Sequence, residues 1–186
     1  MAQKENQRIA LTKKLLQEGL LRLLVQKPLE RISVTELCRE SGINRATFYN
    51  HYNSPLDLLN SIEDKLTQEL KAVIGNPRTA NEASIHVEAV CTFFSDNAHT
   101  ILTLHNCHAD NKIITALYDM NKTFQAFRIK ERFIRNVSAD AIHLIAVFFN
   151  TGCYNILLEW LRKDIPASPK EIAELMIILA RENFLE

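Results

Sequence analysis

Polar, basic and aromatic side chains are concentrated between residues 33 and 52. The planar guanidinium of Arg45 can pair with guanine through two hydrogen bonds, the amide of Asn50 can pair with adenine, and the methyl group of Thr47 can contact thymine. The hydroxyl of Tyr49 suits a phosphate oxygen. Side chains of these types on one surface have the chemistry needed to contact a nucleic acid.

Two short helices must position these side chains. Ser33, followed three residues later by Glu36, forms a capping box that begins the first of them. A glycine turn follows at residues 41–44, and Asn44 is a preferred N-cap residue for a second helix that we expect to reach Tyr52. This pattern is typical of a helix-turn-helix, whose second helix enters the major groove of DNA. A helical hairpin with a polar outer face is the structural alternative for the same pattern.

The rest of the chain also has helical periodicity. Only four of the 186 residues are glycine, which disfavours β-sandwiches and nucleotide-binding α/β folds because both use glycine freely in turns and phosphate loops. Apolar residues recur at helical spacing in five later segments, namely residues 82–95, 98–108, 111–131, 138–163 and 170–185.

We therefore predict an all-α protein of two domains. An N-terminal three-helix domain of helix-turn-helix type occupies residues 1–55, and a helical C-terminal domain occupies residues 56–186. A helix at residues 54–73, begun by a serine cap and a proline at its first position, is shared between them as a connector.

Charge is distributed unevenly between the two predicted domains. Residues 1–55 contain nine basic and five acidic residues, a net charge of +4, whereas the 13 basic and 17 acidic residues that follow give −4. A basic module on an acidic body favours a polyanionic partner.

Composition also bears on the cellular compartment. The four cysteines show no paired CxxC spacing, which indicates reduced thiols in a cytoplasmic protein. The most apolar stretch, residues 142–160, contains polar residues at intervals, so we interpret it as a buried helix and expect no membrane association.

Metal binding and catalysis are the remaining alternatives. His105 and His108 share a helix face, with Cys107 between them and His99 earlier, a spacing compatible with zinc. No HExxH or paired CxxC motif accompanies them, and no nucleophile elbow, P-loop or dinucleotide motif is present. We therefore expect no metal, no cofactor and no enzymatic activity, and keep a helical metal protein or enzyme as a remote alternative.

The segment RISVTELCRESGINRATFYNHY at residues 31–52, followed by LDLL at residues 56–59, resembles the N-terminal domain of the tetracycline-repressor (TetR) family. The resemblance implies an all-helical, homodimeric transcription factor with a ligand-sensing C-terminal domain. The expected DNA-binding residues are Ser33, Thr35, Asn44, Arg45, Thr47, Tyr49, Asn50 and His51. Members often have a phosphate-contacting lysine at the start of the fourth helix, where this chain has Pro55, so that contact is absent.

The C-terminal half is similar to the DhaS-like subgroup of the same family. The similarity rests on GCYNILLEWL at residues 152–161, on DIP at residues 164–166 and on SPKEI at residues 168–172.

A dimer interface is expected on the last two long helices. Apolar residues surround the final helix at residues 175–180, and one chain can cover only one side of its terminal helix. Two such helices from each subunit would form a four-helix interface with two-fold symmetry, which implies a palindromic operator. The expected interface residues are Ile142, Ile145, Phe149, Cys153, Ile156, Trp160, Ile172, Leu175, Met176 and Leu179.

The C-terminal domain is also expected to hold a small-molecule effector. The candidate lining residues are Phe93, Phe94, Leu104, His105, Tyr118, Phe124, Phe127, Phe148 and Asn150. Lys112 is the only basic residue other than histidine between residues 82 and 121, which favours a neutral or cationic, largely apolar ligand. We expect a repressor released from its operator by this effector. The alternative is a DNA-binding regulator, an activator included, that a protein partner controls.

Overall fold

The computed structural model describes residues 2–74, 80–118 and 138–184. Within these ranges every regular element is helical, which confirms the all-α prediction. In chain order they are α1 (Ala2–Leu24), a 3₁₀ turn (Leu29–Arg31), α2 (Val34–Ser41), α3 (Arg45–Tyr49), α4 (Pro55–Ile74), α5 (Ala80–Asp96), α6 (Ala98–Asn106), α7 (residues 111–118), α8 (Ala139–Arg162) and α9 (Pro169–Phe184). The helix expected at residues 111–131 is described only as far as residue 118.

The chain divides into two compact units. The first comprises Met1–Leu66 together with Thr103–Asp110, and the second comprises Thr67–Leu102 together with Asn111–Glu186. The division falls inside α4, after Leu66, whereas the sequence predicts a boundary after residue 55, with the helix at residues 54–73 shared between the domains. Helix α4 therefore contributes residues to both units.

The first unit is organised around the apolar stripe of α1. Leu16 and Leu20 are fully buried, and so are Leu37 of α2 and Phe48 of α3. These side chains recur at helical spacing on α1 and face inward on the two shorter helices, so each short helix has one buried face. The opposite faces of α2 and α3 are thereby left for solvent or a ligand.

Two ion pairs join the end of α1 and the turn after it to α2. Arg22 Nε lies 2.6 Å from Glu40 Oε1, and Lys27 Nζ lies 2.5 Å from Glu36 Oε1. Both ion pairs link α2 to the end of α1 and the turn that follows it, and the Lys27–Glu36 pair is partly buried.

Helices α1 and α2 approach each other closely at Gly19. A Cβ atom at this position would lie 3.0 Å from the Cβ of Ser41 and 3.3 Å from its Cα. Ser41 is itself buried, and its Oγ donates a hydrogen bond to the carbonyl of Leu37 at 2.8 Å. An added Cβ atom at position 19 would therefore crowd Ser41, so space rather than backbone conformation favours glycine there.

We expect Gly19→Ala to destabilise the protein. Overpacking a tight contact costs about 1–3 kcal/mol, which exceeds the gain of up to about 1 kcal/mol from replacing glycine within a helix. Urea unfolding monitored by circular dichroism measures the difference. Adding Ser41→Gly removes the nearest clashing atom and should restore part of the loss, whereas strictly additive effects of the two substitutions would contradict the proposed contact.

The second unit has α5 packed along α9 and in contact with α8. The ring of Phe94 on α5 meets that of Tyr154 on α8 edge to face, with centroids 6.3 Å apart. Cys91 Sγ, also on α5, lies 4.0 Å from Met176 Sδ on α9. The turn from α8 to α9 is closed by Trp160, whose Nε1–H donates to the carbonyl of Ala167 at 3.0 Å.

Helix α8 is largely apolar in composition. Its segment His143–Arg162 is long and apolar enough to cross a membrane by length and hydropathy, but only 29% of that window is buried within the chain. Core helices of soluble proteins meet the same criteria. Some apolar side chains of this helix, such as Leu144 and Phe148, are exposed to solvent.

Candidate nucleic-acid interface

The expected caps of the helix-turn-helix are present. Ser33 Oγ accepts a hydrogen bond from the backbone N–H of Glu36 at 3.2 Å, and Asn44 Oδ1 accepts one from the N–H of Thr47 at 2.8 Å. Gly42, which ends α2, has a φ of 69°, a left-handed conformation that glycine adopts without the cost of a side chain. The sequence thus determines the turn between α2 and α3 locally.

Helix α3 is shorter than expected. It ends at Tyr49 instead of extending to Tyr52, and His51 and Tyr52 follow in a turn in which both backbone N–H groups bond to the carbonyl of Phe48. Phe48 is fully buried. With Phe48 facing inward, a helical period of 3.6 residues directs Ala46 and Asn50 most directly outward.

The residues expected to contact DNA lie together on the first unit. Six of them are exposed, namely Ser33, Thr35, Asn44, Arg45, Tyr49 and Asn50, while Thr47 and His51 are half-buried. The guanidinium carbon of Arg45 lies 6.0 Å from the ring centroid of Tyr49, one turn along α3. This contact holds the arginine against the aromatic ring at the beginning of the helix.

Sequence reasoning missed Ala46 as a member of this surface. Ala46 is exposed on α3 between Arg45 and Thr47, and its methyl group could contact the methyl group of thymine. Its residue type carries no signal of binding. Only its angular position, opposite the buried Phe48, identifies it.

Local charge around α2 supports an anionic ligand. Glu36 and Glu40 are both engaged by basic side chains. The hydrogen bond from Lys27 is the largest cause of a lowered pKa at Glu36, and the charge of Arg39 adds to it. The exposed Arg39 and Arg45 then leave positive charge on this side of the unit.

The beginning of α4 differs from a phosphate-binding helix end. Pro55 has no backbone N–H to donate, and Ser54 Oγ already accepts from the N–H of Asp57 at 3.1 Å. The carboxylate of Asp57 in turn accepts hydrogen bonds from the backbone and side-chain nitrogens of Asn53, at 2.9 and 3.1 Å. An acidic side chain thus occupies the end of this helix.

The residues expected to line an effector site do not all lie together. Phe93, Phe94 and Asn150 are buried in the second unit, and Tyr118 is half-buried there. Leu104 and His105 belong instead to the first unit, where His105 Nδ1 lies 2.6 Å from Asp110 Oδ2.

Of the other three candidate lining residues, only one is described, and it does not support an internal site. Phe148 is 72% exposed on α8, so it does not face the interior of its own chain. Phe124 and Phe127 lie outside the described residues.

The expected interface residues separate into two groups. Trp160, Ile172 and Met176 are buried within their own unit and offer little surface to a partner. Leu175 and Leu179 are exposed on α9, and four residues of α8 are half-buried, namely Ile145, Phe149, Cys153 and Ile156. The side chain of Ile142 is not among those that the structure describes.

Two residues of α8 extend the exposed group. Leu144 is 66% exposed and lies one turn before Phe148. We use the term α8/α9 apolar surface for Leu144 and Phe148 of α8 together with Leu175, Ile178 and Leu179 of α9, all of which are exposed.

Three histidines lie on α6 or just after it, namely His99, His105 and His108. Within the described residues, no group of three or more His, Cys, Asp or Glu side chains is arranged to hold a metal ion. His105 is paired with Asp110, as described above, and His108 occupies a left-handed conformation with a φ of 54°. Backbone hydrogen bonds close the end of α6 around these residues.

Both the sequence and the fold of this chain resemble those of known proteins. Residues 81–182 match the TetR-type family described as "Transcriptional regulator C-terminal region". No curated protein matches the chain.

Several solved structures have a similar fold over nearly the whole chain. The TetR transcriptional regulator from Streptococcus agalactiae 2603V has a TM-score of 0.66 at 17% identity, covering 96% of this chain and 98% of that one. The fatty acid degradation regulator FadR from Bacillus halodurans has a TM-score of 0.67 at 12% identity, covering 94% and 97%. The dihydroxyacetone kinase operon activator DhaS has a TM-score of 0.61 at 14% identity, covering 93% and 96%.

Proposed function

The chain belongs to the TetR family of transcriptional regulators, whose members bind DNA operators and act as dimers. We propose that this protein binds a palindromic operator as a homodimer. We also propose that a small-molecule effector releases it from the operator. The observation that carries this proposal is the exposed face of α3. That face presents Arg45, Ala46, Tyr49 and Asn50 outward from the buried Phe48.

The proposed contacts divide into base reading and phosphate binding. Arg45 and Asn50 carry the hydrogen-bonding groups suited to guanine and adenine, and Ala46 and Thr47 supply methyl groups for thymine. Phosphate oxygens are bound around the ends of α2 and α3. The residues assigned to them are Ser33, Thr35, Asn44, Tyr49 and His51.

We assign the α8/α9 apolar surface to the dimer. The five exposed leucine, isoleucine and phenylalanine side chains belong to two helices of one unit, and exposed apolar residues that form a patch mark an interaction site. Two copies of α3 that contact the two halves of a palindrome must lie about 34–36 Å apart, or a multiple of that distance. A regulator of this kind acts on DNA and is proposed to reside in the cytoplasm, without enzymatic activity.

The effector is proposed to bind in the second unit near Phe93, Phe94 and Asn150. Two buried aromatic rings and one buried amide in the same unit suit a largely apolar ligand with a single hydrogen-bonding group. Helix α4 runs without interruption from the first unit into the second, so a ligand that tilts its far end would also move the residues that follow α3. Complete release requires a preference of about 5.5 kcal/mol for the DNA-free state.

Selection of bound sequences from a random DNA pool tests the DNA-binding part of the proposal. We expect an enriched palindrome, and absence of enrichment by the folded protein would contradict it. Candidate compounds are then tested for release of the selected operator. If none changes operator affinity, while a protein from the same cell does, control by a protein partner replaces the effector proposal.

Pro55→Lys should tighten operator binding and steepen its dependence on salt. The substitution places a cation where family members often have a phosphate-contacting lysine. Each added phosphate contact changes the slope of log K against log salt by about 0.9, which fluorescence anisotropy at several salt concentrations measures. Pro55→Gln makes the same backbone change without charge. Equal slopes for the two variants would show that this position does not reach a phosphate.

A further inference from the structure

Gly152 lies in the interior of α8 without a structural reason in the described part of its own chain. Gly19 is crowded by Ser41, and Gly42 has a left-handed φ of 69°. Gly152 has no such φ, and a Cβ atom built on it would have no packing neighbour within 4 Å among the described residues. Neither backbone conformation nor packing within the chain therefore explains this glycine.

Glycine at this position is unfavourable for the helix. In a helix interior it loses more conformational freedom on folding than any other residue, and only proline is less favourable there. An alanine would fit the open space at Gly152 and would favour the helix. What glycine alone offers on a helix surface is a place where another backbone can approach closely.

The exposed face of α8 on which Gly152 lies is apolar before the glycine and polar after it. Leu144 and Phe148 precede Gly152 by eight and four residues, and Asn155 follows it by three, so the four residues share one face of the helix. All four are exposed, and the two large apolar side chains are 66% and 72% exposed. Apolar side chains exposed to this degree on one face indicate a surface that binds another protein.

A second copy of this chain is the partner that suits this face. Members of the family act as dimers, and a two-fold interface uses the same surface of both subunits. Phe148 of each copy would then be covered by the other. The axes of packed helices lie about 8–10 Å apart, depending on the side chains at the contact, so a glycine at the crossing point permits the shorter distances.

We propose that α8 packs against a helix of a second copy of this chain, with the two backbones closest at Gly152. This inference rests on the proposed homodimer and names the point of closest contact within it. Gly152 is thus a positioning residue, because the absence of a side chain determines how closely the two subunits approach.

Gly152→Ala tests the contact, because it should have opposite effects on the dimer and on the single chain. In the dimer, two added methyl groups would crowd the closest approach. We expect the dissociation constant of the dimer to rise about tenfold or more, as measured by analytical ultracentrifugation over a dilution series. Gly152→Leu should abolish the dimer at micromolar concentration.

The single chain is measured in the Phe148→Asp variant, which should be monomeric. There Gly152→Ala should raise the urea concentration at the midpoint of unfolding, because the added Cβ atom meets open space and alanine favours the helix. Thr92→Ala is the matched control. It makes a helix-favouring change at an exposed residue of α5 and should leave dimerisation unchanged.

Two results would overturn the inference and leave the homodimer intact. One is a Gly152→Ala protein that dimerises as wild type does. The other is a lower unfolding midpoint when Gly152→Ala is added to Phe148→Asp, since the glycine would then be required by its own chain. A Phe148→Asp protein that is still dimeric also contradicts the inference, because the two residues share a face. A monomeric wild-type chain would contradict the homodimer itself.

Discussion

Phe148→Asp is expected to convert the proposed dimer to a monomer at micromolar concentration. Phe148 is 72% exposed on α8 and lies one turn from the equally open Leu144. In a two-fold interface the substitution occurs twice, so two charges would have to be buried in an apolar contact. Analytical ultracentrifugation measures the mass in solution. The variant should remain helical, because Phe148 contributes little to the core of its own chain.

Operator binding should weaken together with dimerisation. Two linked DNA-binding domains bind with an affinity about 10²–10⁴ times that of one domain. The monomeric variant loses this gain on a palindromic site. Val25→Asp is the matched control, because Val25 is an equally exposed apolar residue of the first unit, at 69%. It should sediment as wild type does. A Phe148→Asp protein that is still dimeric would place the interface elsewhere.

Arg45→Ala should lower operator affinity by about 1–3 kcal/mol per half-site, and it should relax the base preference at one position. Arg45 is the first residue of α3, and its guanidinium is held 6.0 Å from the ring of Tyr49. Removing the guanidinium removes the two hydrogen bonds that arginine can make to guanine. Gel-shift titrations against the selected operator and single-base variants measure both effects.

A lysine at the same position separates charge from geometry. Arg45→Lys keeps the positive charge but cannot form the two parallel hydrogen bonds of a guanidinium, so it should retain the salt dependence and lose the base preference. Arg162→Ala removes an equally exposed arginine from the second unit and should leave binding intact. If the Arg45→Ala protein remains folded and binds every sequence as wild type does, α3 is not the helix that contacts the bases.

The sequence was most informative where structure is determined locally. The caps formed by Ser33, Asn44 and Ser54 depend on side chains bonding within three residues, and the inward position of Phe48 follows from helical periodicity. The all-α architecture and the helix-turn-helix were therefore predicted correctly. The end of α3 was not, because the turn after Tyr49 still uses near-helical hydrogen bonds.

Packing between distant segments could not be predicted in the same way. Periodicity shows that a face is apolar, but not whether its own chain or a partner covers it. For this reason Trp160, Ile172 and Met176 were expected in an interface and are buried within their own unit. Phe148 was expected in an interior and is exposed. Cys91 and Met176 are 85 residues apart, so their proximity has no local signal.

The composition of the first unit has a consequence for the order of folding during synthesis. Because Thr103–Asp110 belongs to the same compact unit as Met1–Leu66, this unit cannot be completed until the ribosome has made residue 110. Domains usually fold as units while the chain emerges, yet here α5 and most of α6 must be synthesised first. A chimera that joins residues 1–66 to another C-terminal domain would lack part of its own fold. A chimera that keeps the whole first unit therefore also includes the segment from Thr103 to Asp110.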